Sequence, residues 1–436
     1  MAGADRRDGH LRTRRHRVGN TSPPRLRPAG MSALNSDARS VDMMQHQPSA
    51  LSMRNVLCSL LVALSCLSAP AFAGPHEDFD AAVAAYRRGD YAAAVKLLKP
   101  LAEQGDARAQ FDLGLMHDKG QGVPQDYATA VSWYRKAAEQ GNARAQTNLG
   151  FMYDKGRGVP QDYATALSWY RKAAEQGHSS AQTNLGFMYS QGRGVPQDYA
   201  TALSWYRKAA EQGDAIAQFN LGLMYSQGLG EPQDYATAVS WYRKAAEQGY
   251  ALAQVSLGFK YAQGQGVPQD FAMALSWYRK AAEQGDAKAQ FNLGLMYAQG
   301  QGVTQDYATA LSWYRKAAEQ GDAKAQFNLG FMYDKGQGVP QDYATALSWY
   351  RKAAEQGDAT AQFNLGLMYA QGLGMPQDKV LAYKWVSLAA SRLAASEKKE
   401  RDDAVNLRDQ IASKMTAAQI DEAQKLARDW RPKPER

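Results

Sequence analysis

Residues able to do acid–base, nucleophilic or metal chemistry are few in this 436-residue sequence, and their spacing is poor for it. Of the six histidines, His10, His16 and His46 precede residue 53, which leaves His76, His117 and His178. None of these stands at ligand spacing from another or from a cysteine, as a zinc site would require. Both cysteines, Cys58 and Cys66, lie within ten residues of each other in an apolar run and offer no disulfide framework for the rest of the chain. Ser396-Glu397-Lys398-Lys399 has a Ser-x-x-Lys spacing, but no Lys-Thr-Gly or Ser-Asp-Asn accompanies it. Recurrent Gly-Gln-Gly-Val-Pro-Gln segments are helix breakers and lack the lysine of a phosphate loop. The expectation is a protein with no catalytic residues, no metal and no cofactor.

The charged residues are unevenly placed. A formal +8 would suggest an anionic partner, yet residues 1–73 carry ten arginines against four acids, so only about +2 belongs to residues 74–436. Met53-Arg54-Asn55 precedes a twelve-residue apolar run, Val56 to Leu67, and then Ala71-Phe72-Ala73. That is the layout of an export signal cleaved between Ala73 and Gly74, and it is too short to span a bilayer as a helix. Residues 1–52, rich in Arg, Pro and Ser, read as a disordered and untranslated extension, with initiation at Met53, Met43 or Met44. The mature chain is therefore expected to be periplasmic or secreted, with no integral membrane segment and no nucleic-acid partner.

The elements that would position any site come from a repeat. Gly105, Gly141, Gly177, Gly213, Gly249, Gly285, Gly321 and Gly357 stand 36 residues apart, and so do Trp133, Trp169, Trp205, Trp241, Trp277, Trp313, Trp349 and Trp385. Eight units result, 106–141 through 358–393. In unit 142–177, Ala145, Leu149, Met152 and Tyr153 form one apolar helical stripe, and Ala166, Trp169, Tyr170 and Ala173 form another. Gly156-Arg157-Gly158-Val159-Pro160 breaks the chain between them. Asp162 is placed to cap the second helix and Gly177 to end it, while Asn142 and its aspartate equivalents cap the first helices. Each unit is a helix–loop–helix hairpin too short to be stable alone, so the units must stack, with the tryptophans as large core wedges. The pairs Arg135-Lys136 through Arg351-Lys352 read as a solvated face, His117 as a drifted tyrosine position and His178 as a drifted cap. Residues 77–105 read as an N-terminal hairpin, and 394–436 as capping helices with a capping box at Thr416 and Gln419.

The pattern Ala-x3-Leu-Gly-x2-Tyr-x2-Gly-x-Gly-Val-x3-Asp followed by Ala-x2-Trp-x3-Ala-Ala-Glu-Gln-Gly resembles the Sel-1-like repeat (SLR) family. The resemblance implies an all-α, tetratricopeptide-like α/α superhelical solenoid, and a protein-interaction scaffold or adaptor in the bacterial cell envelope. It also implies a concave groove in which Asn148, Asn184, Asn220, Asn292, Asn328 and Asn364 hydrogen-bond an extended peptide or an envelope protein, with an envelope glycan as a further partner. Asp112 and Ser256 depart from that ladder. Two alternatives stand beside the scaffold. One is a cell-wall or β-lactam hydrolase of the cysteine-rich SLR type, whose cysteine pairs are missing here; the other is a secreted effector that binds host proteins.

Overall fold

The structure, a computed structural model, describes residues 75–394 and 396–433. The extension 1–52, the export signal 53–73 and the cleavage point at Ala73 and Gly74 lie outside the described residues. The described chain is all-helical, as the periodicity predicts, with twenty helices and no strand among the described residues. It falls into two compact units that meet in sequence at Asp306 and Tyr307, and each is described by itself.

The first unit opens with a hairpin of α1 (Pro75–Arg87) and α2 (Tyr91–Glu103). It continues with α3 (Ala107–Lys119), α4 (Tyr127–Glu139), α5 (Ala143–Lys155), α6 (Tyr163–Glu175), α7 (Ser179–Gln191) and α8 (Tyr199–Glu211). Then follow α9 (Ala215–Gln227), α10 (Tyr235–Glu247), α11 (Ala251–Gln263), α12 (Phe271–Glu283) and α13 (Ala287–Gln299). The second unit holds α14 (Tyr307–Glu319), α15 (Ala323–Lys335), α16 (Tyr343–Gln356), α17 (Ala359–Gln371) and α18 (Lys379–Arg392), closed by α19 (Lys398–Ala412) and α20 (Ala417–Asp429). Within each unit successive helices from α1 to α13 and from α14 to α19 pack on one another, and α20 returns to α18, so contacts are local in sequence.

Turn chemistry makes this stacking compact. At the end of α6 the Gly177 N–H bonds the Ala174 carbonyl at 3.0 Å, and the His178 N–H bonds the Ala173 carbonyl at 3.1 Å. These are the two bonds of a Schellman motif, with Gly177 at φ 88°. The residue that completes it is already the N-cap of the next helix, so only three residues, Gln176 to His178, join α6 to α7. Asn142, Asp106, Asp214, Asp286, Asp322 and Asp358 cap through side-chain oxygens, whereas His178 and Tyr250 make no such bond.

The core corrects one expectation. Ala145, Leu149, Met152, Ala166, Tyr170 and Ala173 are buried as their stripes predict. The tryptophans are not the central wedges: Trp133, Trp169, Trp205, Trp241, Trp313 and Trp349 are half-buried, and only Trp277 and Trp385 are fully enclosed. The tyrosine one residue on fills the centre, with Tyr134, Tyr170 and Tyr206 at 0% exposure. A step of one residue turns about 100° around a helix, which puts the indole at the edge of the stripe. There Trp133 packs on the core of the preceding hairpin, and Trp169, Trp205 and Trp241 do the same one repeat later each time. The tyrosine reaches the centre because its partner helix carries glycine: a Cβ on Gly150 would stand 2.8 Å from the Tyr170 ring.

The Arg-Lys pairs are also more than a solvated face. Arg135, Arg171, Arg207, Arg243 and Arg279 donate to Tyr153, Tyr189, Tyr225, Tyr261 and Tyr297 of the following repeat at 2.7–3.0 Å. The lysines fold back over their own indoles, with Lys136 4.1 Å from the Trp133 ring centre and Lys244 3.9 Å from that of Trp241. A third seam is buried. Gln146 donates to the Ala138 carbonyl at 3.0 Å and accepts from Gln176 at 2.7 Å, and the same pair of bonds recurs at Gln110, Gln182, Gln218 and Gln254. In the second unit Gln356 donates to Gln326 at 2.9 Å. Arg392 stands where the next glutamine would be, and the buried Gln362 carbonyl is left unpaired.

Candidate functional site

Within the first unit the first helices of successive repeats line one groove of about 820 Å³. Its walls come from α3, α5, α7 and α9, with Gln125, Tyr127 and Arg157 added from the loops and the adjoining helix end. The second helices are turned away into the Arg–Tyr and Lys–Trp seams, so the face left open is the one on which the repeats differ most. At the second helical position stand Arg108, Arg144, Ser180, Ile216 and Leu252, while Tyr-Ala-Thr-Ala-Leu-Ser-Trp-Tyr-Arg-Lys is identical in α6 and α8.

Asn148, Asn184 and Asn220 all line this groove, which brings three of the six sequence-predicted asparagines together. The rest are placed otherwise. Asn148 itself hydrogen-bonds the Tyr134 hydroxyl of the preceding repeat. Asn292 is half-buried on α13 outside the lining, and Ser256 interrupts the row between it and Asn220. In the second unit the Asn328 amide donates to the Lys324 carbonyl of its own helix at 3.0 Å. Asn364 is 1% exposed with neither amide atom paired, which removes it from any exposed surface. Its hairpin is the one on which the terminal helices pack, α19 against α17 and α18, and α20 against α18.

The groove's distinctive chemistry comes from residues that the sequence reading passed over. The fifth position of the first helices is phenylalanine at Phe111, Phe219, Phe291, Phe327 and Phe363, but threonine at Thr147 and Thr183. Thr147 Oγ1 lies 2.8 Å from the Ala143 carbonyl and 2.9 Å from His178 Nδ1. Thr183 bonds the Asp214 carboxylate. Two cap positions, His178 and Asp214, thus face the groove through threonine partners. Burial, and the nearby Arg144 charge, lower the His178 pKa, with Asp214 opposing. Burial raises the Asp214 pKa against its hydrogen bonds to the Ala217 N–H and Thr183 and the attraction of His178. At the row's beginning, Asp112 stands in an asparagine position, and burial pushes its pKa up to about 6 in spite of Arg144.

Two arginines stand at the groove on aromatic platforms. The Arg144 guanidinium lies 4.5 Å from the Phe111 ring centre, and that of Arg157 lies 5.4 Å from Phe151 and 5.6 Å from Tyr127. Among the described residues no group of three or more His, Cys, Asp or Glu side chains is arranged to hold a metal, and no helix is long and apolar enough to cross a membrane. The signal that could have located the site was available within the chain. Thr147, Thr183 and His178 break the chain's own repeat consensus in two adjacent units.

Comparison with known proteins agrees with this architecture. A family model described as the Sel1 repeat matches nine times, at 85–106 and then in successive blocks from 107–142 to 359–392. The first of these matches covers the end of α1 and all of α2. Among solved structures the chain is similar to c5321, a protective antigen of uropathogenic Escherichia coli with an SLR fold: 36% identity over 82% of this chain and 84% of that one, TM-score 0.49. It is also similar to a Sel1 repeat protein from Oxalobacter formigenes, at 38% identity over 55% of this chain and 96% of that one, TM-score 0.51. No curated protein matches the chain.

Proposed function

The chain belongs to the Sel1 repeat family, and from that premise we propose that it is an exported interaction scaffold of the bacterial cell envelope, binding an extended protein segment in the groove of its first unit and catalysing no reaction. The observation that carries this reading is the convergence of Asn148, Asn184 and Asn220 on one groove. Each amide both donates and accepts, which matches the alternating N–H and C=O groups of an extended backbone. Contacts of this kind are individually weak and gain strength by number along the array. Export is supported by the basic residue, apolar run and Ala-x-Ala sequence of 53–73.

The test of binding is a variant in which all three asparagines become serine, the residue the chain itself carries at Ser256. It should lose at least about tenfold in affinity for peptides selected on the native protein, the equivalent of about 1.4 kcal/mol, while it keeps its helical fold by circular dichroism at the assay temperature. Unchanged affinity would remove the groove from the mechanism. Cell fractionation with mass spectrometry tests export: a mature N-terminus at Gly74 in the periplasm or medium is expected, and a cytoplasmic chain retaining residues 53–73 would overturn it.

A further inference from the structure

The groove is not equally open at every repeat. Where the fifth helical position is phenylalanine its ring fills the space against the buried tyrosine, with Phe111 5.9 Å from Tyr134 and Phe219 5.7 Å from Tyr242. At Thr147 and Thr183 that ring is missing in two consecutive repeats, between flanking repeats that keep it. A phenyl ring has been exchanged for a small hydroxylated side chain, and Thr147, His178, Thr183 and Asn184 stand together in the groove lining at this recess, the two threonines at its floor with 6% and 7% exposure.

The charges beside the recess differ in how closely they are engaged. Asp214 is committed to the Ala217 N–H at 2.8 Å, and Asp118 lies 3.4 Å from the Tyr134 hydroxyl. Arg144 and Arg157 form no ion pair within 4 Å among the described residues; each is only attracted at longer range by one carboxylate, Arg144 by Asp112 and Arg157 by Asp118, and both rest on aromatic faces. An arginine held this way keeps its charge and most of its five donors available, and it loses little freedom when a carboxylate arrives.

We propose that the threonine-lined recess of repeats 142–177 and 178–213 is the specificity pocket of the groove, and that it selects an extended peptide with acidic side chains, whose carboxylates pair with Arg144 and Arg157. The proposal rests on the groove's being the binding surface. It adds the chemistry of the partner and confines recognition to two of the repeats. The amide row is a sequence-tolerant rail, while the recess and its arginines choose.

The array supplies its own test substitutions, because other repeats carry them in the same fold. Thr147→Phe with Thr183→Phe restores the residue of Phe111, Phe219 and Phe291. Arg144→Ser copies Ser180, and Arg157→Gln copies Gln301. Binding of the full chain to fluorescein-labelled decapeptides alternating glycine with glutamate, glutamine or lysine is followed by anisotropy at about 150 mM salt, where exposed charges beyond about 8 Å are screened. The glutamate peptide should bind at least about tenfold tighter than the glutamine one, and each arginine variant should erase most of that preference. The double phenylalanine variant should abolish binding at an unchanged melting temperature. Equal affinity for the glutamate and glutamine peptides, both lost on filling the recess, would sink the acidic preference and leave the groove reading standing. Binding untouched by the filled recess would overturn both. Displacement of the glutamate peptide by heparin from native and filled chains alike would reassign the arginines to a general polyanion surface.

Discussion

In the first unit the second helices α4, α6, α8, α10 and α12 are near copies of one another, whereas the first helices α3, α5, α7, α9 and α11 differ at the second, fifth, sixth, ninth and twelfth positions among others. The uniform set makes the contacts that hold repeat to repeat. Its tyrosine fills the core, its arginine reaches the next hairpin, and its glutamine and tryptophan tie back to the previous one. The varied set turns many of its changing residues, Arg144, Ser180 and Ile216 among them, to the groove. Each seam contact needs the same geometry on both sides of the interface, so a change in one copy must be matched by its neighbours. A groove residue has no such obligation and is free to diverge.

The largest effect expected of that division is on stability alone. Tyr206→Ala, at the centre of a second-helix core, should cost roughly 3–5 kcal/mol in chemical denaturation. Trp205→Ala, half-buried at the edge, should cost distinctly less, and an equal loss from both would erase the distinction between centre and margin. Gly194→Ala comes next. The glycine sits at φ 69°, and a Cβ would stand 2.8 Å from the Tyr163 carbonyl carbon of the preceding repeat, so a loss of about 2–3 kcal/mol is expected from strain and backbone clash together.

Lys260 sharpens the comparison from the other direction. It occupies the buried position that holds Met152, Met188, Met224 and Met296 elsewhere, is 6% exposed, and bonds Gln265 at 2.9 Å beside the Tyr235 ring. Burial lowers its pKa to about 8. The unfolded amine titrates near 10.4, so below pH 8 both states are protonated and the fold carries the whole penalty of the buried charge. Between about pH 8 and 10.4 the folded amine loses its proton first, and stability rises relative to a variant without it. Lys260→Met should therefore stabilise by roughly 1–3 kcal/mol at pH 7, and the gain should shrink by pH 10. A gain independent of pH would attribute the effect to packing instead. The smallest expected change is at Arg171→Gln, which removes one exposed hydrogen bond to Tyr189 and should shift the denaturation midpoint by less than about 1 kcal/mol.

Much of this was legible in the sequence because the repeat reports every position eight times over. Helix ends followed from Gly177 and Asp162, and the capping box at Thr416 and Gln419 forms with bonds of 3.0 and 3.3 Å. The candidate site was legible only in part. A periodic asparagine reads as one of six equal rungs, but equality of spacing does not imply equality of surroundings. Asn364 ends up enclosed at 1% exposure, while Asn148, Asn184 and Asn220 share a groove. Tryptophan reads as the core wedge because side-chain volume is visible in a sequence, and the one-residue rotation that puts the smaller tyrosine ring at the centre is not.

The hairpin, its length, its caps and the necessity of stacking are written in the chain, since all of these follow from periodicity and local hydrogen bonding. Helix packing set which face remained open, which cations were engaged in seams and which rested on aromatic rings at a groove, and what two threonines in place of phenylalanine came to face. Those outcomes depend on contacts between residues some 18 to 36 positions apart, such as Arg171 with Tyr189 and Thr147 with His178. Their distances are set by helix packing, a property of the stack that no single repeat contains.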